Sequence, residues 1–252
     1  MRYSPSELMA CVAARELRDG EVVFVGIGLP NLACNLARAT HAPNLVLIYE
    51  SGAVGAQPAR LPVSIGDPSL VTGSAMVCGM ADVFQMLLQS GRIQVGFLGG
   101  AQIDRYANIN TTVIGDYASP DVRLPGSGGA AEIAIHARRM LVISRLSPRA
   151  FPERVDFITS PGHRFPNGTR EELGLPGAGP MRVITDRAIL SPEPATGELL
   201  LAALYPGVNE EDVITSVGWP LRAHAALETV APPTEEELHL LREVLDPQHL
   251  FL

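Results

Sequence analysis

Apolar residues along this 252-residue chain fall in short runs broken by glycine, proline and polar turns. That spacing predicts strands alternating with helices. The organising stretch is residues 45–55, LVLIYESGAVG. Leu45, Val46, Leu47, Ile48 and Tyr49 form a continuous apolar run, the pattern of a strand buried on both faces. The run stops at Glu50, and Ser51-Gly52 lets the backbone turn sharply. Upstream, residues 4–17 show helical periodicity, with Ser6-Glu7 suited to the start and Leu8, Cys11, Val12 and Leu17 on one face. A strand follows over 21–25, then Gly26-Ile27-Gly28-Leu29-Pro30, then a helix over 31–40. Downstream, strands over 70–78 and 95–98 flank a helix over 81–89. A helix from about 130 to 139 precedes a strand over 141–144. Further strands are expected over 155–160, 181–185, 188–190 and 199–204. Residues 232–246 predict an amphipathic helix capped by Thr234. This alternation implies an α/β fold, one domain over 1–252 with an open, largely parallel sheet flanked by helices.

In such sheets, ligands collect outside the carboxyl ends of the strands. Glu50 falls at one such end, though a lone strand-end carboxylate more often caps an element or pairs with arginine. Three glycine-bearing loops occupy comparable positions. Gly26 and Gly28 lie between a strand and a helix, where backbone N–H groups can approach an anion or carbonyl, or where the chain simply turns. Residues 99–110, GGAQIDRYANIN, combine glycines with polar Gln102, Asp104, Asn108 and Asn110. Gly128 and Gly129 open a helix, either as an oxyanion hole or as an ordinary tight entry.

Composition narrows the classes. Hydrophobic residues make up 46% of the chain and aromatic residues only 5%, so the core is expected to be aliphatic. A net charge of −8 with no basic stripe argues against nucleic acid. Cys11, Cys34 and Cys78 show no metal-binding or disulfide spacing. No apolar run approaches the ~20 residues that cross a bilayer, and the start of the chain lacks a secretory pattern. A cytoplasmic protein with no membrane partner and no metal is expected.

Taken together, VGIGLP at 25–30, ESG at 50–52, GGAQIDRYANIN at 99–110, IGDY at 114–117 and GSGGA at 126–130 resemble family I coenzyme A transferases. DFITSPG at 156–162, LGLPG at 173–177 and VITD at 183–186 extend the match over nearly the whole chain. The resemblance is to the B (beta) subunit, most closely of the glutaconate CoA-transferase branch. Ala107 departs from the family pattern, which usually has glycine there. The resemblance implies that Glu50 is the nucleophile of a ping-pong transfer of CoA between an acyl-CoA and a carboxylic, possibly dicarboxylic, acid. An acyl-glutamyl anhydride and then a glutamyl-CoA thioester would form on Glu50. A carboxylate attacks without a general base, and its anhydride keeps the acyl group activated. By position, Gly128 and Gly129 are candidates for the oxyanion hole, Gly26 and Gly28 for the CoA side, and Gln102 for ligand binding. The resemblance also implies an A (alpha) subunit partner and no tightly bound cofactor, with coenzyme A itself as substrate. A CoA-thioester hydrolase or decarboxylase of the same fold, or a non-catalytic CoA-binding subunit, stays open.

Overall fold

The computed structural model describes residues 2–252. The chain forms two compact units, Met1–Phe97 with Pro232–Leu252, and Leu98–Ala231.

The first unit opens with α1, Pro5–Arg15. Its cap is Ser4 rather than the expected Ser6, because Pro5 favours the first helical position and Glu7 reaches back to complete a capping box. Next come β1, Val22–Phe24, α2, Leu29–Ala39, β2, Val46–Ile48, β3, Ala53–Val54, and β4, Met76–Val77. A short α3, Met80–Asp82, leads through a wider turn to β5, Val95–Leu98. β1 lies between β2 and β5, parallel to both, with Val22, Val23 and Phe24 opposite Val46, Leu47 and Ile48. β3 and β4 extend this sheet antiparallel. Val23, Leu47, Ile48 and Val95 are buried, which agrees with the continuous apolar runs. α1 packs on α2.

The strand expected over 70–78 shrinks to β4. Asp67 accepts from Ser69 N and starts a single tight turn, Pro68–Val71. Gly73 then takes a positive φ of 64°. The C-terminal helix, Glu235–His239, has the expected Thr234 cap, reciprocated by Glu237. Arg15–Glu237 and Arg242–Glu7 ion pairs tie this segment to α1.

The second unit contains three two-stranded ribbons: β6 (Gln102–Ile103) with β7 (Ile109–Asn110), β8 (Val113–Gly115) with β9 (Pro120–Arg123), and later β11 (Arg164–Phe165) with β12 (Gly168–Thr169). After α4, Ala130–His136, comes β10, Arg139–Ile143. β10 is parallel to β13, Pro180–Ile184. β14, Ala188–Pro192, and β15, Leu199–Leu204, continue antiparallel, and β16, Ala223–Thr229, lies parallel to β15 after α5, Glu210–Ile214. The fold is α/β, as the alternation of apolar runs implies.

Residues 155–160 do not form the expected strand. Asp156 N donates to Gln102 Oε1, and only Ser160 bridges, to Ile109. A side chain supplies the partner of Asp156 N, and only the end of the segment, Thr159 N and Ser160 N, bonds to the backbone of β7, at Ile109 O. No described helix is long and apolar enough to cross a membrane.

Candidate active site

Glu50 stands two residues beyond the end of β2, in a turn closed by a Gly52 N bond to Tyr49 O of 3.0 Å and a Tyr49 N bond to Ala53 O of 3.0 Å. Its side chain is half-buried. Among the described residues, it makes no ion pair and no hydrogen bond. Capping and pairing with arginine, the ordinary uses of a strand-end carboxylate, are therefore both missing.

The residues on either side of Glu50 are fixed. Tyr49 is fully buried and its hydroxyl donates to Asn31 Oδ1 of α2 at 2.8 Å. Burial raises the Tyr49 phenol well above its ordinary range. Asn35 Nδ2 donates to the same Asn31 oxygen at 2.9 Å, while the buried Asn31 Nδ2 has no acceptor. On the other side, Gly52 has a φ of 110°, and a Cβ built there would lie 1.9 Å from the carbonyl oxygen of Cys78. Cys78 N donates to Gly52 O at 3.0 Å, so β4 lies against the turn that carries Glu50. Sequence patterning missed both Asn31 and Cys78. The sign available was a polar residue in the first turn of α2.

Gly26 and Gly28 belong to the loop between β1 and α2. Phe24 is opposite Ile48, and Val25 N donates to Ile48 O at 3.0 Å. Beyond this bond Gly26 and Glu50 each lie in the turn that leaves the carboxyl end of its strand. The N–H groups of Gly26, Ile27, Gly28 and Leu29 donate to no acceptor among the described residues. The last two also lie at the start of α2, where the helix dipole favours negative charge. Gly28 has a φ of 94°, and at either glycine an added methyl would meet no heavy atom within 4 Å. The structure thus gathers Gly26, Gly28 and Glu50 at adjoining carboxyl ends of two parallel strands.

Gly128, Gly129 and Gln102 belong to the second unit. Gly126 is anchored by its N–H to Thr111 O at 2.8 Å, and α4 begins after Gly129. Between these points the N–H groups of Ser127, Gly128 and Gly129 donate to no acceptor among the described residues. Such open consecutive donors suit an oxyanion. Gln102 differs. It is buried, Nε2 donates to Asp156 Oδ2 at 2.9 Å, and Oε1 accepts from Asn110 Nδ2 at 2.7 Å and Asp156 N at 3.0 Å. Those bonds make it a brace between β6, β7 and the segment that follows β10.

Two of the three free cysteines, Cys11 and Cys34, are buried, and burial pushes the Cys11 thiol up to about 12. No group of three or more His, Cys, Asp or Glu among the described residues is placed to hold a metal.

Residues 7–216 match the family model described as coenzyme A transferase. The chain is 52% identical over 240 residues to the B (beta) subunit of 3-oxoadipate CoA-transferase from Pseudomonas knackmussii, covering 95% of this chain and 92% of that one. It is 36% identical over 256 residues to the B (beta) subunit of glutaconate CoA-transferase from Acidaminococcus fermentans, covering 99% and 95%. The crystal structure of the latter enzyme superposes with a TM-score of 0.91 at 34% identity, over 99% of this chain and 97% of that one. With a carboxylate at the ESG turn, open backbone donors beside it and this extent of similarity, the chain belongs to the coenzyme A transferase family.

Proposed function

We propose that this chain is the B (beta) subunit of a heteromeric CoA-transferase that works as one domain over 1–252 with an A (alpha) subunit. It moves CoA between an acyl-CoA and a carboxylic acid by a ping-pong reaction on Glu50. The observation that carries this reading is the Glu50 carboxylate, half-buried and free of protein partners beside the open N–H groups of Gly26–Leu29.

In the first step, a Glu50 oxygen attacks the thioester carbonyl carbon. The C–S bond breaks and the CoA thiolate leaves an acyl-glutamyl anhydride. The thiolate then attacks the Glu50 carboxyl carbon, the anhydride C–O bond breaks, and the first acid departs, leaving a glutamyl-CoA thioester. An incoming carboxylate runs the two steps in reverse, so atoms and charge balance without a cofactor. Each tetrahedral intermediate carries an oxyanion that needs backbone N–H donors. Gly26 and Gly28 lie along the CoA side, and within the second unit Gly128 and Gly129 keep the open N–H groups of an oxyanion hole. Gln102 keeps a bracing role. 3-Oxoadipate and glutaconate, named in the relatives, are both dicarboxylates, which supports a dicarboxylic substrate. The three free cysteines suit a reducing compartment such as the cytoplasm.

Intact-mass measurement of the purified complex after mixing with acyl-CoA tests the reading. A CoA adduct on this chain is expected in the wild type and absent in Glu50→Ala, whose transfer activity is lost. A complex that consumes acyl-CoA without ever carrying the adduct would instead be a hydrolase or decarboxylase. One that leaves acyl-CoA untouched would contain a non-catalytic subunit.

A further inference from the structure

A cavity of about 500 Å³ lies wholly within the second unit, between residues 104 and 166, and its walls include none of Gly26, Gly28, Glu50, Gly128 or Gly129. Its volume is within the range of small-molecule sites. The chemistry of the wall is unusual for an unused surface. Arg105 and Arg164 both approach the ring of Tyr106, with guanidinium carbons 4.9 and 6.0 Å from its centroid. Arg105 also donates to the Tyr106 hydroxyl at 3.1 Å and to Glu153 at 3.3 Å. Arg164 and the exposed Arg154 have no carboxylate partner among the described residues.

The acidic groups on the wall do not cancel these cations. Asp104 is buried and faces inward, its oxygens taken by Tyr106 N and by Asn108 N and Nδ2. Asp156 Oδ2 accepts from Gln102 and from Gly115 N, which leaves Oδ1 without a protein donor. The wall therefore offers two guanidinium groups with no carboxylate partner, an aromatic ring, and two open carboxylate oxygens, Asp156 Oδ1 and Oε2 of Glu153, whose Oε1 is taken by Arg105.

The floor beneath is rigid. Ala107 is fully buried with a φ of 60°, a left-handed conformation that is strained for a non-glycine residue. Asn108 holds it in place, donating to Arg164 O at 2.8 Å and accepting from Gly162 N at 2.9 Å. Strain of this kind persists where the surroundings over-determine it, and such places cluster at ligand sites. Arg105, Tyr106 and Arg164 are thus mounted before any ligand arrives, which lowers the entropy cost of binding.

We infer that this cavity binds a nucleotide phosphate group, with Arg154 and Arg164 taking the anion, the Tyr106 face beside the base and Asp156 accepting from a sugar hydroxyl. Guanidinium groups match phosphate by paired N–H donors, and aromatic faces stack on any base. A lone carboxylate ligand would leave most of the volume and the aromatic face unused.

The test is a fluorescence titration of the full chain with N-methylanthraniloyl-ADP, read without turnover, so its outcome does not depend on whether Glu50 transfers CoA. Saturable, salt-sensitive binding is expected. The double variant Arg154→Gln/Arg164→Gln, both at exposed positions, is expected to bind at least tenfold more weakly while its circular dichroism is unchanged. Displacement by CoA would assign the site to the nucleotide end of the coenzyme. Displacement by ADP but not by CoA would assign it to a free nucleotide. Equal affinity in the double variant, equal displacement by inorganic phosphate, or no saturable binding up to millimolar probe would each overturn the inference.

Discussion

At the scale of single residues, the attack proposed for Glu50 depends on reach and turn geometry as well as on charge. Glu50→Asp keeps the negative charge but draws the attacking oxygen back by one methylene. Misplacement by about an ångström costs on the order of 100-fold, so its kcat is expected to fall nearly as far as that of Glu50→Ala. Comparable turnover by the Asp variant would show that the residue acts by field and not by attack. Gly52→Ala tests the turn itself. Its methyl would fall 1.9 Å from Cys78 O, at a φ of 110°, so β4 or the turn must move. We expect kcat to drop by roughly 100-fold while the variant remains folded, checked by steady-state kinetics beside circular dichroism. Glu50, Gly26 and Gly28 stood out in the sequence because each follows an apolar run at a strand end, and Gly128 and Gly129 because they open a helix. The Asn31–Tyr49 bond and the Cys78 contact were not, because they join residues 18 and 26 positions apart. No local pattern encodes such pairings.

At the scale of elements, strands buried on both faces were legible from their runs, as β2, β5 and β15 show. Elements held by side chains or left exposed were not. β16 carries mostly exposed residues, so no apolar alternation announces it. Residues 155–160 look like a strand, yet Asp156 N is taken by the Gln102 side chain and only Thr159 and Ser160 reach the backbone of β7. The loop after β12 is an extreme case. Arg170 is buried and donates to five carbonyl oxygens, of Ala134, Ile135, Pro161, Gly162 and Gly177, with no carboxylate among them. Burial draws its guanidinium down to about 10. Arg170→Met would take a donor from each of those carbonyls; Ile135 O keeps Gly177 N, and each one left dry costs about 1–3 kcal/mol. A stability loss of about 3 kcal/mol or more is expected in denaturant titration, and a loss under 1 kcal/mol would refute the clamp. His163, beside it, donates from Nε2 to Pro180 O at 2.7 Å, and burial lowers it below its ordinary value of 6.5. The unfolded chain then takes up the proton more readily, so this contribution to stability is complete above pH 6.5 and is lost as pH falls toward the folded value. His163→Gln should flatten that part of the stability profile. An unchanged slope between pH 6.5 and 5 would show that other groups set it.

At the scale of the whole molecule, the first unit leaves Val71, Met76, Val77, Met80 and Met86 exposed, on and around the edge strand β4. An apolar strand edge left open invites association, which suits a chain that works with a second subunit. Expressed alone, the chain is expected to be inactive and prone to self-association. Co-expression with an A (alpha) subunit should restore transfer and slow hydrogen exchange over residues 71–86. Full activity from the isolated chain would overturn the heteromeric reading. The contact between Cys78 and Gly52 has one further consequence. Of three thiols, only Cys78 is open to solvent at all, since Cys11 and Cys34 are sealed in the core. The protein therefore carries a natural attachment point for a spectroscopic label. A fluorophore or spin probe placed there on the isolated chain would sit beside the ESG turn, and its signal is expected to change when an A (alpha) subunit covers residues 71–86.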